Sequence, residues 1–192
     1  FDTPARRDLL LKTLVGLGLY LGVTALLETF KAWDLVFPSY IGDRSVGIQF
    51  GRARGPFVAS EAMGMACAVC AFAAAVAVLR FRGAWRVVSA LTVALAGAGV
   101  LESLTRSVWV GAVVGTVVAL VGTARGRRAL PAVLAALAVV VVVLLTTVPG
   151  LYDSVAGRAG TTRSVMDRQN TNEAALRIVQ EHPLTGIGWV QF

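Results

Sequence analysis

A chain of 192 residues that is 56% hydrophobic and only 15% charged, with a mean hydropathy of +0.72, excludes an ordinary soluble domain and reads as a polytopic membrane protein. Its formal charge of +7 and pI near 10.4 would fit a nucleic-acid binder, but membrane topology accounts for them below, and no nucleic acid is expected as a partner. Five stretches approach the ~20 apolar residues that a helix needs to cross ~30 Å of hydrocarbon.

The N-terminal stub carries Arg6, Arg7 and Lys12, and the first span runs from Thr13 to Phe30. That run is too long for a cleavable signal peptide and is followed by further spans. Gly18 and Gly22 are spaced for close helix approach. The loop from Lys31 to Pro56 brings Trp33, Phe37, Pro38 and Tyr40, whose rings suit the interfacial belt. It closes on G-R-A-R-G-P-F, so Arg52 and Arg54 stand at the mouth of the second span. Gly51 and Gly55 permit backbone shapes that bring the guanidinium groups near a bound ligand. Lipid phosphates are the competing use for arginines at that depth.

The second span, Phe57 to Leu79, contains Cys67-x-x-Cys70 among Ala, Met and Val. A redox or metal role would need a loop or polar partners, so the pair is read as packing residues. Arg80, Arg82 and Arg86 precede the third span, Val87 to Leu104. Leu104, Thr105 and Arg106 leave almost no loop before the fourth, Ser107 to Ala124, and the turn between them is expected to be embedded in the membrane. On a continuing helix Glu102 and Arg106 would share a face as an ion pair, with Trp109 nearby. Charges at such depth pair, or face a water-filled cavity, and count as candidate functional groups. Gly111 and Gly115 repeat the close-approach spacing. After Arg125, Arg127 and Arg128 the fifth span, Ala129 to Val148, includes the run Ala132 to Leu145 without a polar group and reads as wall.

Lys and Arg near span ends are retained on the cytoplasmic side. If the five spans alternate, the three basic connections fall together, with the N-terminus cytoplasmic. That face sums to +7, the whole formal charge, and the outer face sums to zero. The high pI is thus a topology signal. The chain is expected to be an all-α transmembrane helical bundle over residues 1–148, part of a larger one, followed by an extracytoplasmic loop over 149–192. In that loop Tyr152 to Asp167 reads as irregular. Asn170 to Glu173 offers helix-starting residues before the apolar pattern Ala174, Ala175, Ile178 and Val179, an amphipathic helix that Pro183 ends. Arg168 precedes this helix and Arg177 projects from it. His182, the only histidine, suits a cap or dipole role at its end. Thr185 to Gly188 forms a turn toward Trp189 and Phe192. Opening on Phe1 and stopping inside a loop, the chain is expected to be a fragment.

R-x-x-G-P-F before a span, L-T-R-S-V-W between two spans, and R-(x)7-L-(x)5-H-P-L-T-G-I-G-W-V-Q-F at the end together resemble the bacterial O-antigen ligase and polymerase family. The resemblance covers about three quarters of the chain, from the first outer loop onward, and departs at Ser60-Glu61, where family members commonly have Pro-Asn. It implies a multi-pass protein of the bacterial cytoplasmic (inner) membrane, active in polysaccharide biosynthesis for the cell envelope. The implied reaction passes a glycan from a polyprenyl-diphosphate carrier to a hydroxyl of a glycan or lipid acceptor at the outer face, among membrane lipids. It also implies no metal and no cofactor, consistent with outer loops that lack an Asp-x-Asp or a His and carboxylate cluster. The diphosphate charge then falls to arginine, whose planar, always charged fork binds phosphate oxygens in pairs. Arg52, Arg106 and Arg168 are the expected diphosphate ligands, with Arg54 an alternate to Arg52. The family's base is a loop histidine downstream of the G-x-G segment. His182, before Pro183, is a weaker candidate for that role, so the fragment alone is expected to be inactive. Glu102 and Asp167 are the other possible proton acceptors. Two other readings compete: a transporter or channel subunit gated by Glu102 and Arg106, which internal repeats would favour and this chain lacks, and a membrane scaffold docking a partner on the helix from Asn172 to Glu181.

Overall fold

The computed structural model describes residues 3–122, 124–148, 150–160 and 163–183; within these, the side chains at 125, 158–160, 163–165, 167 and 168 lie outside the description. All regular structure among the described residues is helical: α1 (Pro4–Thr29), α2 (Ser60–Arg80), α3 (Ala84–Glu102), α4 (Arg106–Val121), α5 (Ala124–Thr147), α6 (Leu151–Gly160) and α7 (Arg163–Glu181). Short 3-10 turns at Trp33–Leu35, Ser39–Gly42 and Gly55–Phe57 shape the loop between α1 and α2. The chain divides into two compact units, Phe1–Tyr152 and Asp153–Phe192.

In the first unit α1, α2 and α3 pack as a three-helix core around Leu21, Ala25, Met63, Cys67, Cys70, Ala96 and Val100. Small side chains make this possible. A Cβ added at Gly22 would lie 2.6 Å from the backbone carbonyl carbon of Leu95, and one at Gly18 would lie 2.7 Å from Cys70 Cβ. The spacing in α1 therefore marks a true close approach. The same spacing in α4 does not, because Gly111 has nothing within 4 Å and Gly115 meets only the edge of the Phe72 ring. Gly22→Ala is expected to cost about 1–3 kcal/mol by forcing α1 off α3. Gly16→Ala, with open space around it, should be neutral or slightly stabilising through helix propensity. Thermal unfolding in detergent checks the contrast.

The cysteines are free, and both are buried. Cys67 packs toward Gly99 and Cys70 toward Gly18.

Four helices are long and apolar enough to cross a membrane: Pro4–Thr29, Ser60–Arg80, Ala84–Glu102 and Gly126–Thr147. The fourth expected span forms the shorter apolar helix Arg106–Val121. At 1.5 Å per residue its 16 residues extend about 24 Å, less than the ~30 Å hydrocarbon thickness. It begins only after the tight turn at Leu104 and stops at Gly122. The α5 window is entirely unburied, as a wall facing lipid or other helices would be.

The two ends of the three-helix core differ in chemistry. At one, Arg80 pairs with Asp8, and the Lys12 ammonium lies 5.6 Å and 5.2 Å from the ring centroids of Phe81 and Trp85. At the other stand Glu28, Ser60 and Glu102, with the long loop against them. The second unit holds most of α6 and all of α7. The segment from Tyr152 to Asp167, expected to be irregular, is largely helical: helix covers Leu151–Gly160 and resumes at Arg163. Asn170, Thr171 and Asn172, read as helix starters, sit inside α7, since local preferences of well under 1 kcal/mol per residue do not fix a boundary. Pro183 does stand just past the end of α7, and Leu176 and Val179 on that helix are exposed. The turn expected over Thr185 to Gly188, with Trp189 and Phe192, lies outside the described residues.

Candidate functional site

The loop from Lys31 to Ala59 is tied down by its own polar groups. Trp33 stacks on Phe50 with centroids 5.3 Å apart, and the guanidinium groups of Arg44 and Arg54 lie 5.2 Å and 4.7 Å from the Phe50 centroid. Tyr20 donates its hydroxyl proton to Phe37 O at 2.7 Å, and Tyr40 donates to Pro56 O at 2.9 Å. Tyr40 thus serves the loop itself as well as any interfacial belt. Asp43 accepts from the hydroxyl and backbone N–H of Ser45, which hold its carboxyl below the usual aspartate value. That contribution to loop order is present above the unfolded-state pKa and is lost as pH falls through the lowered folded value.

Arg54 is the hub of this loop. It is 1% exposed, and its guanidinium donates to three backbone carbonyls: Val46 O at 2.6 Å, Ile41 O at 2.8 Å and Asp43 O at 2.9 Å. Its backbone N–H donates to both carboxylate oxygens of Glu28, at 3.2 Å and 3.1 Å, and the Gly55 N–H donates to Glu28 Oε1 at 2.7 Å. Arg54, expected as an alternate to Arg52 at a phosphate, thus has its fork engaged with backbone carbonyls inside the loop. The right-handed backbone of Arg54 (φ −109, ψ −29) turns two successive N–H groups toward one carboxylate, and Gly55, at φ +52, then takes the left-handed conformation that glycine adopts readily. Sequence reasoning missed Glu28. The available signal was a lone carboxylate near the end of an otherwise apolar span.

Arg52 is half-exposed, two residues before Arg54. Between them, Ala53 donates its backbone N–H to the carbonyl of Glu102 at 3.1 Å. That bond joins the first motif to the second. The turn that follows, Ser103 to Thr105, is held by Ser103 Oγ on Val100 O at 2.7 Å, Thr105 Oγ1 on Ser103 O at 3.0 Å and Trp109 Nε1 on Val100 O at 2.9 Å. Leu104 adopts φ +49, a strained value for a side chain of that size. A second link comes from Ser60, whose Oγ lies 3.4 Å from Thr105 Oγ1 and donates to the Gln49 amide oxygen. Gln49 in turn donates to Glu61 at 3.1 Å. Ser60 and Glu61, where the resemblance pattern has Pro-Asn, thus share one polar chain with the loop.

Arg106 is the first residue of α4 and is half-buried. The expected stacking of Arg106 over Glu102 on one helix does not occur, because α3 ends at Glu102 and the Leu104 turn redirects the chain. Glu102 is 3% exposed, and neither carboxylate oxygen has a hydrogen-bond partner among the described residues. Arg168 lies on α7 in the second unit, and its side chain is outside the description, as is that of Asp167. His182 is exposed just past α7 and donates its backbone N–H to Ile178 O at 2.8 Å. Among the described residues, no three His, Cys, Asp or Glu side chains gather as metal ligands would.

One corner of the first unit therefore collects Arg52 and the tight turn that leads into Arg106, with the buried carboxylates of Glu28 and Glu102 at the same end. A family model described as O-antigen ligase matches residues 91–192, which begins in α3 and takes in that turn. The chain belongs to the O-antigen ligase family. This makes it a multi-pass membrane protein of a family that transfers glycans in surface polysaccharide assembly. No curated protein and no solved structure matches the chain.

Proposed function

We propose that the protein transfers a glycan from a polyprenyl-diphosphate carrier to an acceptor hydroxyl at the outer face of the bacterial cytoplasmic membrane. Arg52 and Arg106 bind the diphosphate; Arg168, in the second unit, is tested alongside them. The observation that carries this reading is the Ala53 to Glu102 backbone bond, which puts the residue after Arg52 against the residue four before Arg106. Charge grows on the diphosphate as the carrier–glycan bond breaks, and preorganised guanidinium groups stabilise it without a metal ion. Arg54 holds the loop that presents Arg52, and His182 closes α7 rather than acting as a base. Residues 149–192 form the extracytoplasmic part.

The test is surface glycan made by the full-length protein carrying Arg52→Ala, Arg106→Ala or Arg168→Ala, with membrane insertion monitored in parallel. Loss of transfer by inserted variants is expected. Normal glycan in all three would end the proposal.

A further inference from the structure

Arg52 stands between two tethers. On one side of it, Ala53 gives its backbone N–H to the Glu102 carbonyl, which ties the turn to the end of α3. On the other side stands Gln49, whose carbonyl accepts the Arg52 N–H at 3.4 Å. Gly51, between them, has φ +96 and nothing within 4 Å of the position a Cβ would take, so packing at that residue does not fix the turn. The Gln49 side chain does. Its amide nitrogen donates to Glu61 Oε1 at 3.1 Å, and its amide oxygen accepts from Ser60 Oγ. Chemistry sets that orientation: an ionised carboxylate only accepts, so the amide turns its nitrogen to Glu61 and its oxygen to the hydroxyl. With both partners at the start of α2, the amide is anchored twice while its own backbone holds φ +62, a value that residues with a side chain rarely adopt.

The contacts run on toward Arg106. Ser60 is fully buried, and its Oγ lies 3.4 Å from Thr105 Oγ1. Thr105 is the N-cap of α4, the helix that Arg106 begins. A threonine there ordinarily turns its hydroxyl onto the first backbone N–H groups of its own helix. This one makes no such cap; its hydroxyl donates to Ser103 O at 3.0 Å and faces Ser60. The Gln49 side chain thus reaches, through one serine, from the Arg52 turn to the residue before Arg106. We infer that Gln49 is a positioning residue for diphosphate binding: its amide, seated on Ser60 and Glu61, fixes the reach of Arg52 relative to Arg106. This rests on the glycan-transfer reading above and names what holds the two arginines of that site in register. Gln49 acts through Arg52 and touches no phosphate itself.

The experiment measures undecaprenyl diphosphate binding to the full-length protein in detergent, with limited proteolysis of the loop in parallel. Gln49→Ala is expected to weaken binding by about fivefold to tenfold, no more than Arg52→Ala does, and to add less than about twofold once Arg52 is already alanine, as for a residue that acts through another. The loop should stay protected from protease, since Arg54 still bridges its carbonyls. Gln49→Glu should bind worse than Gln49→Ala, because it sets two carboxylates face to face. Adding Glu61→Gln to that variant should restore binding to within about threefold of wild type, because amide and carboxylate then trade places across the same contact. Where Gln49→Ala fails to fold, this exchanged pair carries the test. Wild-type binding in Gln49→Ala, a full further loss on top of Arg52→Ala, or no rescue by Glu61→Gln would overturn the assignment. Binding unchanged by both Arg52→Ala and Arg106→Ala would instead sink the glycan-transfer reading, whatever Gln49 does.

Discussion

Arg106→Ala in the full-length protein is expected to lower the rate of glycan transfer by two to three orders of magnitude in protein that still inserts into the membrane. Removing one preorganised donor from a developing anion typically costs about 10²–10³ in rate. Arg106 is half-buried at the first position of α4. There it adds to the positive end of the helix backbone, which itself favours an anion. Arg52→Ala should behave in the same way, with a smaller loss because its side chain sits on a loop and is half-exposed. Lysine at position 106 should restore only part of the rate, since a point charge cannot engage two phosphate oxygens in the plane of a fork. Rates measured over a range of carrier-linked glycan check the pattern: a fall in kcat/KM shared by kcat marks an interaction strongest in the transition state.

Arg54→Ala should be destructive for a different reason. Its guanidinium bridges the carbonyls of Ile41, Asp43 and Val46 and covers the Phe50 ring. Removing it leaves polar oxygens without their charged donor and a gap in the loop, at about 2–4 kcal/mol once partial rehydration of the exposed ends is allowed for. Arg54→Lys should fail almost as badly, because one ammonium does not span carbonyls held by two different guanidinium nitrogens. Limited proteolysis between residues 41 and 58 checks this. The loop should become cleavable in Arg54→Ala and stay protected in Arg52→Ala, which separates the supporting arginine from the binding one.

The two arginines look alike in the sequence, and only tertiary partners tell them apart. G-R-A-R-G announces a glycine-flanked basic turn, but the carbonyls that capture Arg54 are 8 to 13 residues away, and the Glu28 carboxylate under its peptide is 26 away. The apolar spans were legible because a helix crossing hydrocarbon must satisfy its backbone internally and present apolar side chains along its whole length. The short fourth helix was harder to read. A left-handed Leu104 cannot be inferred from L-E-S-L-T-R, and that residue decides whether Glu102 and Arg106 stack or part. Gly18 and Gly111 carry identical spacing signals, yet only the first has a neighbour close enough to need the missing Cβ. Spacing marks permission for close approach, and the partner helix decides whether it is used.

The central claim is that Arg52 and Arg106 bind one diphosphate. A double-mutant cycle on undecaprenyl diphosphate binding to the full-length protein tests it most directly, using wild type, Arg52→Ala, Arg106→Ala and the double variant. The account predicts that each single variant weakens binding by about tenfold or more and that the double variant falls short of the product of the two, as groups sharing one ligand do. Binding unchanged in either single variant would contradict it.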